Sequence, residues 1–365
     1  MKISDCTEKY NEITKELLWT YGMKVTRENL IFSPFSMMML LTMLADATES
    51  DTRKEILQIL GAEGSFEEFK KMMTRMQYTF IKSNTLCSEN VVVAKNAIAD
   101  TVKESYLSSL RSHFSGKLFA TNHGVQQVNE WVNKRTKGMI QEIADSSMGQ
   151  IELGMINAIA FNSKWDEKYK EADVLKGKFH NCDGTIGTVN MLKSEETLYL
   201  EDEFFTGFSK MYKGKEYSYV ALLPKKKTSK SFLMRGIEQL DFTKLLKNSR
   251  ECCVSVTMPE FKSSFELNIS EFLQEKEMTK IFSFEADFSP LSDLPLRVDA
   301  LRHKARIEVD REGTRAAAVT YGVVVCSAQV FDELKIVTLD RPFIYAVVHN
   351  DTALPVLTGI MNYAE

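Results

Sequence analysis

The chain is short of the residues that interrupt structure. Its 365 residues include only 7 prolines and 17 glycines, and no Pro/Gly/Ser-rich linker, composition break, repeat or low-complexity tract divides it. Length alone would accommodate two or three domains of about 150 residues. Without a linker, the expectation is one large domain over 1–365. Cysteines number six (Cys6, Cys87, Cys182, Cys252, Cys253 and Cys326). Their spacing fits neither a zinc motif nor a small disulfide scaffold, so free thiols in a reducing compartment are expected, and no metal. An excess of one charge is also missing. The net charge of -4 and pI near 5.9 argue against a nucleic-acid partner. The run Lys225-Lys226-Lys227 with Lys230 reads as a solvated loop before a polyanion site.

Long apolar runs are absent too. The richest, Met37 to Ala47, falls short of the ~20 residues that a membrane span needs. The start, Met1 to Lys9, lacks the apolar core of about 7–15 residues that marks a signal peptide. The expectation is a cytoplasmic protein with no membrane partner, leaderless secretion remaining open. Enzyme signatures are missing as well. There is no Gly-x-Ser-x-Gly elbow, His-Glu-x-x-His, phosphate loop or dinucleotide fingerprint, so neither catalysis nor a cofactor is expected.

What is present is a large core. At 44% hydrophobic and 26% charged, the chain can bury one. Helical periodicity is expected at Thr7–Tyr21, Met37–Ala47, Thr52–Leu60, Phe66–Gln77 and Val125–Ile143. Strands are expected at Asn90–Ala94 and Leu153–Phe161. From Leu198 onward they dominate: Tyr217–Leu223, Cys252–Met258, Val298–Asp310, Ile336–Leu339, Phe343–His349 and Val356–Met361. Helices early and strands late predict an α+β architecture around large sheets.

The most informative stretch runs from Val309 to Gly322. The alternating strand Arg306-Ile307-Glu308-Val309 gives way to Gly313, Thr314 and a run of small residues. The run has little to bury where it starts, yet Thr314, Ala316, Ala318, Thr320 and Gly322 would share one inward face of a sheet. A segment shaped for later burial is the mark of a switch. Elsewhere, Ser33 and Ser36 around Pro34, Asn157 in a strand and His303 at a strand start occupy positions where a core is ordinarily apolar. Read alone, they are separate buried polar groups, each satisfied locally.

The hinge Arg311-Glu312-Gly313-Thr314-Arg315-Ala316-Ala317-Ala318 resembles that of serpins, the serine-protease inhibitor family. The likeness runs along nearly the whole chain. Asn157-Ala-Ile-Ala-Phe-Asn-Ser-Lys-Trp165 is similar to a strand motif of the family, and His303-Lys304-Ala305 to its His-Lys-Ala. Val128 to Ile140 resembles its Asn-x-Trp-Val helix, Ala286-Asp-Phe-Ser289 its Ala-Asp-Phe-Ser, and Arg341-Pro-Phe-Ile344 its final hairpin.

The resemblance implies a serpin fold, with a helix-rich N-terminal region around a large five-stranded sheet and a reactive-centre loop at about 311–335. It implies a "shutter" of Ser33, Pro34, Ser36, Asn157 and His303, and a "breach" of Trp165, Glu260 and Arg311. A monomer is expected, able to polymerise when destabilised. So is a covalent complex with a serine protease, formed when the loop is cut and enters the sheet. Family spacing from Gly313 places the bond at Ser327-Ala328. Val325, Cys326 and Ser327 are small and suit an elastase-like pocket, whereas Phe331 would suit a chymotrypsin-like one. Papain-like proteases stay open as targets, as does a non-inhibitory chaperone or scaffold role. Against the family pattern, Glu260 stands for Lys and Arg311 for Glu, so an ion pair of exchanged polarity is expected.

Overall fold

The computed structural model describes residues 6–82, 85–226, 230–314 and 333–364. Helix α1 (Thr7–Lys24) buries Tyr10, Ile13, Leu17 and Leu18, as its periodicity predicts. Strand β1 (Leu30–Phe32) runs into helix α2 (Pro34–Asp46), whose first residue is the proline that a helix start tolerates. Every residue of α2 is buried, because Met, Leu and Phe occupy all its faces. Helices α3 (Ser50–Leu60) and α4 (Phe66–Ile81) are amphipathic, and the Ser65 hydroxyl caps α4 by accepting from the Glu68 N–H.

Then come β2 (Leu86–Ala94), α5 (Asn96–Ala99), α6 (Glu104–Phe114), β3 (Gly116–Ala120) and α7 (Gly124–Arg135). Strand β4 (Leu153–Phe161) is followed by the two-residue β5 (Ser163–Lys164). Next are β6 (Val174–His180), β7 (Ile186–Glu201), β8 (Phe205–Met211) and β9 (Tyr217–Pro224). Helices α8 (Lys230–Glu238) and α9 (Phe242–Lys247) precede β10 (Arg250–Pro259), β11 (Phe261–Asn268) and α10 (Ile269–Glu275). The remaining strands are β12 (Ala300–Asp310), β13 (Gly313–Thr314), β14 (Leu334–Thr338), β15 (Phe343–His349) and β16 (Leu354–Met361).

One expected helix is too long. The apolar period continues to Ile143, but α7 ends at Arg135. Lys137 (φ 54) and Gly138 (φ 78) turn left-handed there, and the Asn129 side chain takes over. Its carbonyl accepts from the Ile143 and Ala144 N–H groups and its amide donates to the Ala144 carbonyl. Met139 and Ile140 stay buried with Val128 and Val132, so the pattern reported burial rather than helix. No described helix is long and apolar enough to cross a membrane.

The residues fall into two compact units interleaved along the chain. One holds the residues up to Lys9, Phe35–Ala160 and Glu266–Arg306; the other holds Tyr10–Pro34, Phe161–Phe265 and everything from Ile307. In the first, strands run in the order β3-β2-β4-β12, with β4 buried throughout and paired in parallel with β12 from Gly154↔Ala300 to Ala160↔Arg306. Strand β12 also pairs with β11, and with β13 and β5 the sheet counts seven strands among the described residues. The second unit holds a nine-stranded sheet in the order β1-β16-β15-β9-β8-β7-β10-β14, with β6 also pairing β7.

Candidate functional site

The last residues of β12 do something different from the rest of that strand. Val309 and Asp310 pair with Thr314 and Gly313, and these pair on their other side with Ser163 and Lys164 of β5. The start of the hinge therefore occupies a strand position of its own. Gly313 makes this possible. At φ +153 it adopts a conformation that side chains rarely take, and a Cβ there would lie 2.3 Å from the Ser163 carbonyl oxygen. Thr314 is fully buried, and its hydroxyl meets the Tyr212 hydroxyl at 2.6 Å.

The turn between β12 and β13 has its main chain fully occupied. Glu260 Oε1 accepts from the Arg311 N–H at 3.1 Å, and Asp310 Oδ1 accepts from the N–H groups of Glu312 (2.7 Å) and Gly313 (3.1 Å). The carbonyls of Asp310, Arg311 and Glu312 accept from Trp165 Nε1, the Tyr169 N–H and the Trp165 N–H respectively. Burial pushes the Asp310 carboxyl upward, while the two N–H groups that it accepts pull it back. Lys168 Nζ pairs with Glu312 Oε2 at 2.6 Å.

The structure brings Trp165, Glu260 and Arg311 together but corrects how. Among the described residues no ion pair joins Arg311 to Glu260. The carboxylate is turned onto the main-chain N–H of Arg311 and is steadied by Asn190 Nδ2 at 2.7 Å. A main-chain contact is indifferent to the side chain at 311, so the exchanged signs need no electrostatic pairing.

Trp165 is 1% exposed and stacks on Tyr212 with centroids 4.6 Å apart and planes 9° apart. Behind it lies a buried ion pair that the sequence did not reveal. Lys210 Nζ meets Glu196 Oε1 at 2.7 Å, with the side chains 4% and 11% exposed. The ammonium also lies 5.6 Å from the Trp165 ring centroid and 4.7 Å from that of Tyr169. Ser194 donates to the same Glu196 oxygen. Burial drives the Glu196 carboxyl upward, and Lys210 opposes it.

In the first unit, His303 Nδ1 lies 3.0 Å from Asn157 Oδ1. The Asn157 amide donates to Asn90 Oδ1 at 3.0 Å and Ser88 Oγ at 3.3 Å, and Asn90 donates to the Phe114 carbonyl. Asn157 and His303 were expected together; Ser88 and Asn90, on β2, were missed. The polar run Ser88-Glu89-Asn90 leading into an apolar strand was the available signal. Ser36 is fully buried in the first turn of α2, and Ser33 and Pro34, which fall in the second unit, are buried too. Burial alone lowers the His303 pKa to about 3, so the imidazole is neutral. Of the hinge, Arg315, Ala316, Ala317 and Ala318 lie outside the described residues. So do Val325, Cys326, Ser327, Ala328 and Phe331.

Gly313 and Thr314 thus form a short strand of their own between the end of β12 and β5. A family model described as serpin, serine protease inhibitor, matches residues 8–363. The chain belongs to the serpin family. The chain is 28% identical to iripin-2 of Ixodes ricinus, over 89% of the chain and 85% of that protein. It is 27% identical to serpin B4 of Homo sapiens, over 90% and 92%. Tengpin, a thermophilic serpin solved in its native state, superimposes with a TM-score of 0.85 at 30% identity, covering 98% of this chain and 94% of that one. Membership supports a general role in serine protease inhibition, with proteases as partners rather than catalysis of its own.

Two outcomes are expected. Lys210→Met should cost about 3–5 kcal/mol in urea unfolding by leaving Glu196 buried and unpaired, and Glu196→Leu added to it should recover most of that loss. If the losses simply add, the pair does not work as a unit. Because His303 is neutral when folded and takes a proton near pH 6.5 when unfolded, its contribution is complete above pH 6.5 and is lost as pH falls toward about 3. His303→Gln should flatten the fall of the unfolding midpoint between those values by at most about 1.4 kcal/mol per pH unit.

Proposed function

We propose that the chain is a single-use trap for a serine protease. A protease would cut the loop near Ser327-Ala328 and be held as an acyl-enzyme while the freed segment entered the sheet between β4 and β12. The observation that carries this reading is the lodging of Gly313 and Thr314 between the end of β12 and β5. Two residues of the segment already hold the position that the remainder would extend. Insertion of Arg315 to Gly322 would continue the same alternation, with Ala316, Ala318 and Thr320 inward beside Thr314 and Arg315 turned outward. Each further step would replace a β12–β4 pair by two new ladders. About ten added strand hydrogen bonds at roughly 0.5–1.5 kcal/mol each place the inserted form on the order of 10 kcal/mol lower. The native form would then be held kinetically.

The small residues Val325, Cys326 and Ser327 favour an elastase-like target, and Phe331 a chymotrypsin-like one. Residence in a reducing, cytoplasmic setting is part of the reading, supported by the absence of disulfides at Cys6, Cys87, Cys182, Cys252 and Cys253.

Incubation with pancreatic elastase, chymotrypsin, trypsin and papain is expected to give SDS-stable complexes with one of the first two, and mass spectrometry of the released peptide should locate the bond. The nicked protein should melt well above the intact one; equal melting would mean that no work is stored. Ala318→Arg would bury an unpaired charge on insertion and is expected to turn inhibitor into substrate, raising the turnover of cut protein by tenfold or more. Stable complexes from that variant would count against inward insertion of Ala318.

A further inference from the structure

The strand that receives the chain after the loop carries an unusual surface. Strand β14 pairs in parallel with β10 on one side, from Leu334↔Cys253 to Thr338↔Thr257, and stands at the end of its sheet. Strands alternate, and β14 does so in the reverse of the expected sense for aliphatic residues. Val337 is buried, whereas Leu334 is 63% and Ile336 71% exposed. These two point to the same face. Their neighbours on β10, Cys253 and Ser255, are small and partly exposed, so on that side nothing bulky among the described residues covers the aliphatic side chains. Several charges near this edge are paired with each other: Lys335 with Glu333 at 2.6 Å, and Arg250 and Lys225 both with Glu201, while the exposed Glu195 and Lys193 of β7 lie one strand further in, across from Ser255 and Thr257. The result is a small apolar platform at the sheet end, bordered by partly paired charge. Two adjacent large aliphatic residues left open on one strand are the profile of a contact surface.

Position selects the occupant. Leu334 lies six residues past Ala328 and Ile336 eight, on the leaving-group side of the proposed bond. Even fully extended, those spans reach about 20–28 Å. A protease of some 220 residues has a radius of gyration near 17 Å, so one docked on the bond covers that distance with its own face. We propose that Leu334 and Ile336 form a secondary docking surface for the target protease, meeting an uncharged apolar patch beside the part of its cleft that binds residues after the cut bond. The inference rests on the trap reading for its partner, but it concerns the encounter and not the trapping. The platform would speed capture and leave the steps after cleavage untouched, because β14 lies beyond the segment that inserts.

The test is the double variant Leu334→Thr/Ile336→Thr, with threonine chosen to keep the strand, and Ile336→Thr alone as a milder second variant. With the protease that the wild type engages fastest, the rate of loop cleavage or complex formation should fall about tenfold in the double variant and less in the single. The inhibitor consumed per protease and the melting temperature should stay unchanged. The ratio of wild-type to variant rates should be the same at low and high salt, as an apolar contact requires. Variant rates within twofold of wild type would overturn the proposal. So would a wild-type dimer in sedimentation that the double variant abolishes, since the surface would then belong to a second copy. A wild type that is cut but never trapped would sink the trap reading while leaving docking to be judged from the cleavage rate. A wild type neither cut nor trapped by any serine protease would overturn both.

Discussion

One level of a sheet can hold two strands side by side or the same two strands parted by a third, and not both. Neighbouring strands lie about 4.8 Å apart, so admitting a third roughly doubles the gap. This exclusion governs the molecule. Strands β4 and β12 pair directly from Gly154↔Ala300 to Ala160↔Arg306, and beyond that level β12 has Gly313 and Thr314 at its side instead. The change depends on a single missing atom. Any Cβ at position 313 would collide with the main chain of Ser163 and Lys164, so only glycine lets the third strand begin.

Polar contacts organise both units in ways that apolar packing could not. Around the hinge turn, three consecutive N–H groups are taken by two carboxylates and three consecutive carbonyls by Trp165 and Tyr169. A turn satisfied in this way has one low-energy geometry, because releasing any member leaves a poorly solvated group unpaired. The buried Lys210–Glu196 pair and the rings of Trp165, Tyr169 and Tyr212 extend that order inward. Such a pair adds little net stability over an apolar substitute, yet it is costly to break singly, so it specifies an arrangement rather than strengthening it. In the first unit, the chain from His303 through Asn157 to Asn90 is likewise intolerant of partial loss.

Legibility in the sequence followed the range of the physics. The alternation of β12 and the fully apolar α2 and β4 are local patterns, and each appears where its periodicity placed it. Local reasoning failed where left-handed turns at Lys137 and Gly138 end α7 eight residues before its apolar pattern does, with the Asn129 side chain holding the chain beyond. It failed again with Glu260 and Arg311. Two charges of opposite sign at complementary positions invite an ion pair, but only the orientation of the carboxylate decides whether it meets a guanidinium or an amide.

The sequence by itself determined which strands are half-buried, which helix is wholly buried, that a hinge of small residues comes after Gly313, and the family to which these belong, because all are carried by residue type and spacing along the chain. Only the tertiary structure decided that Thr314 is already seated against Tyr212, that Glu260 grips a turn 51 residues away, and that Ser88 and Asn90 complete the partners of Asn157. It also decided that Leu334 and Ile336 are left bare at a sheet end. Periodicity states which face of a strand is apolar. It holds no information on which distant strand lies alongside, at what register, or whether any strand lies there at all.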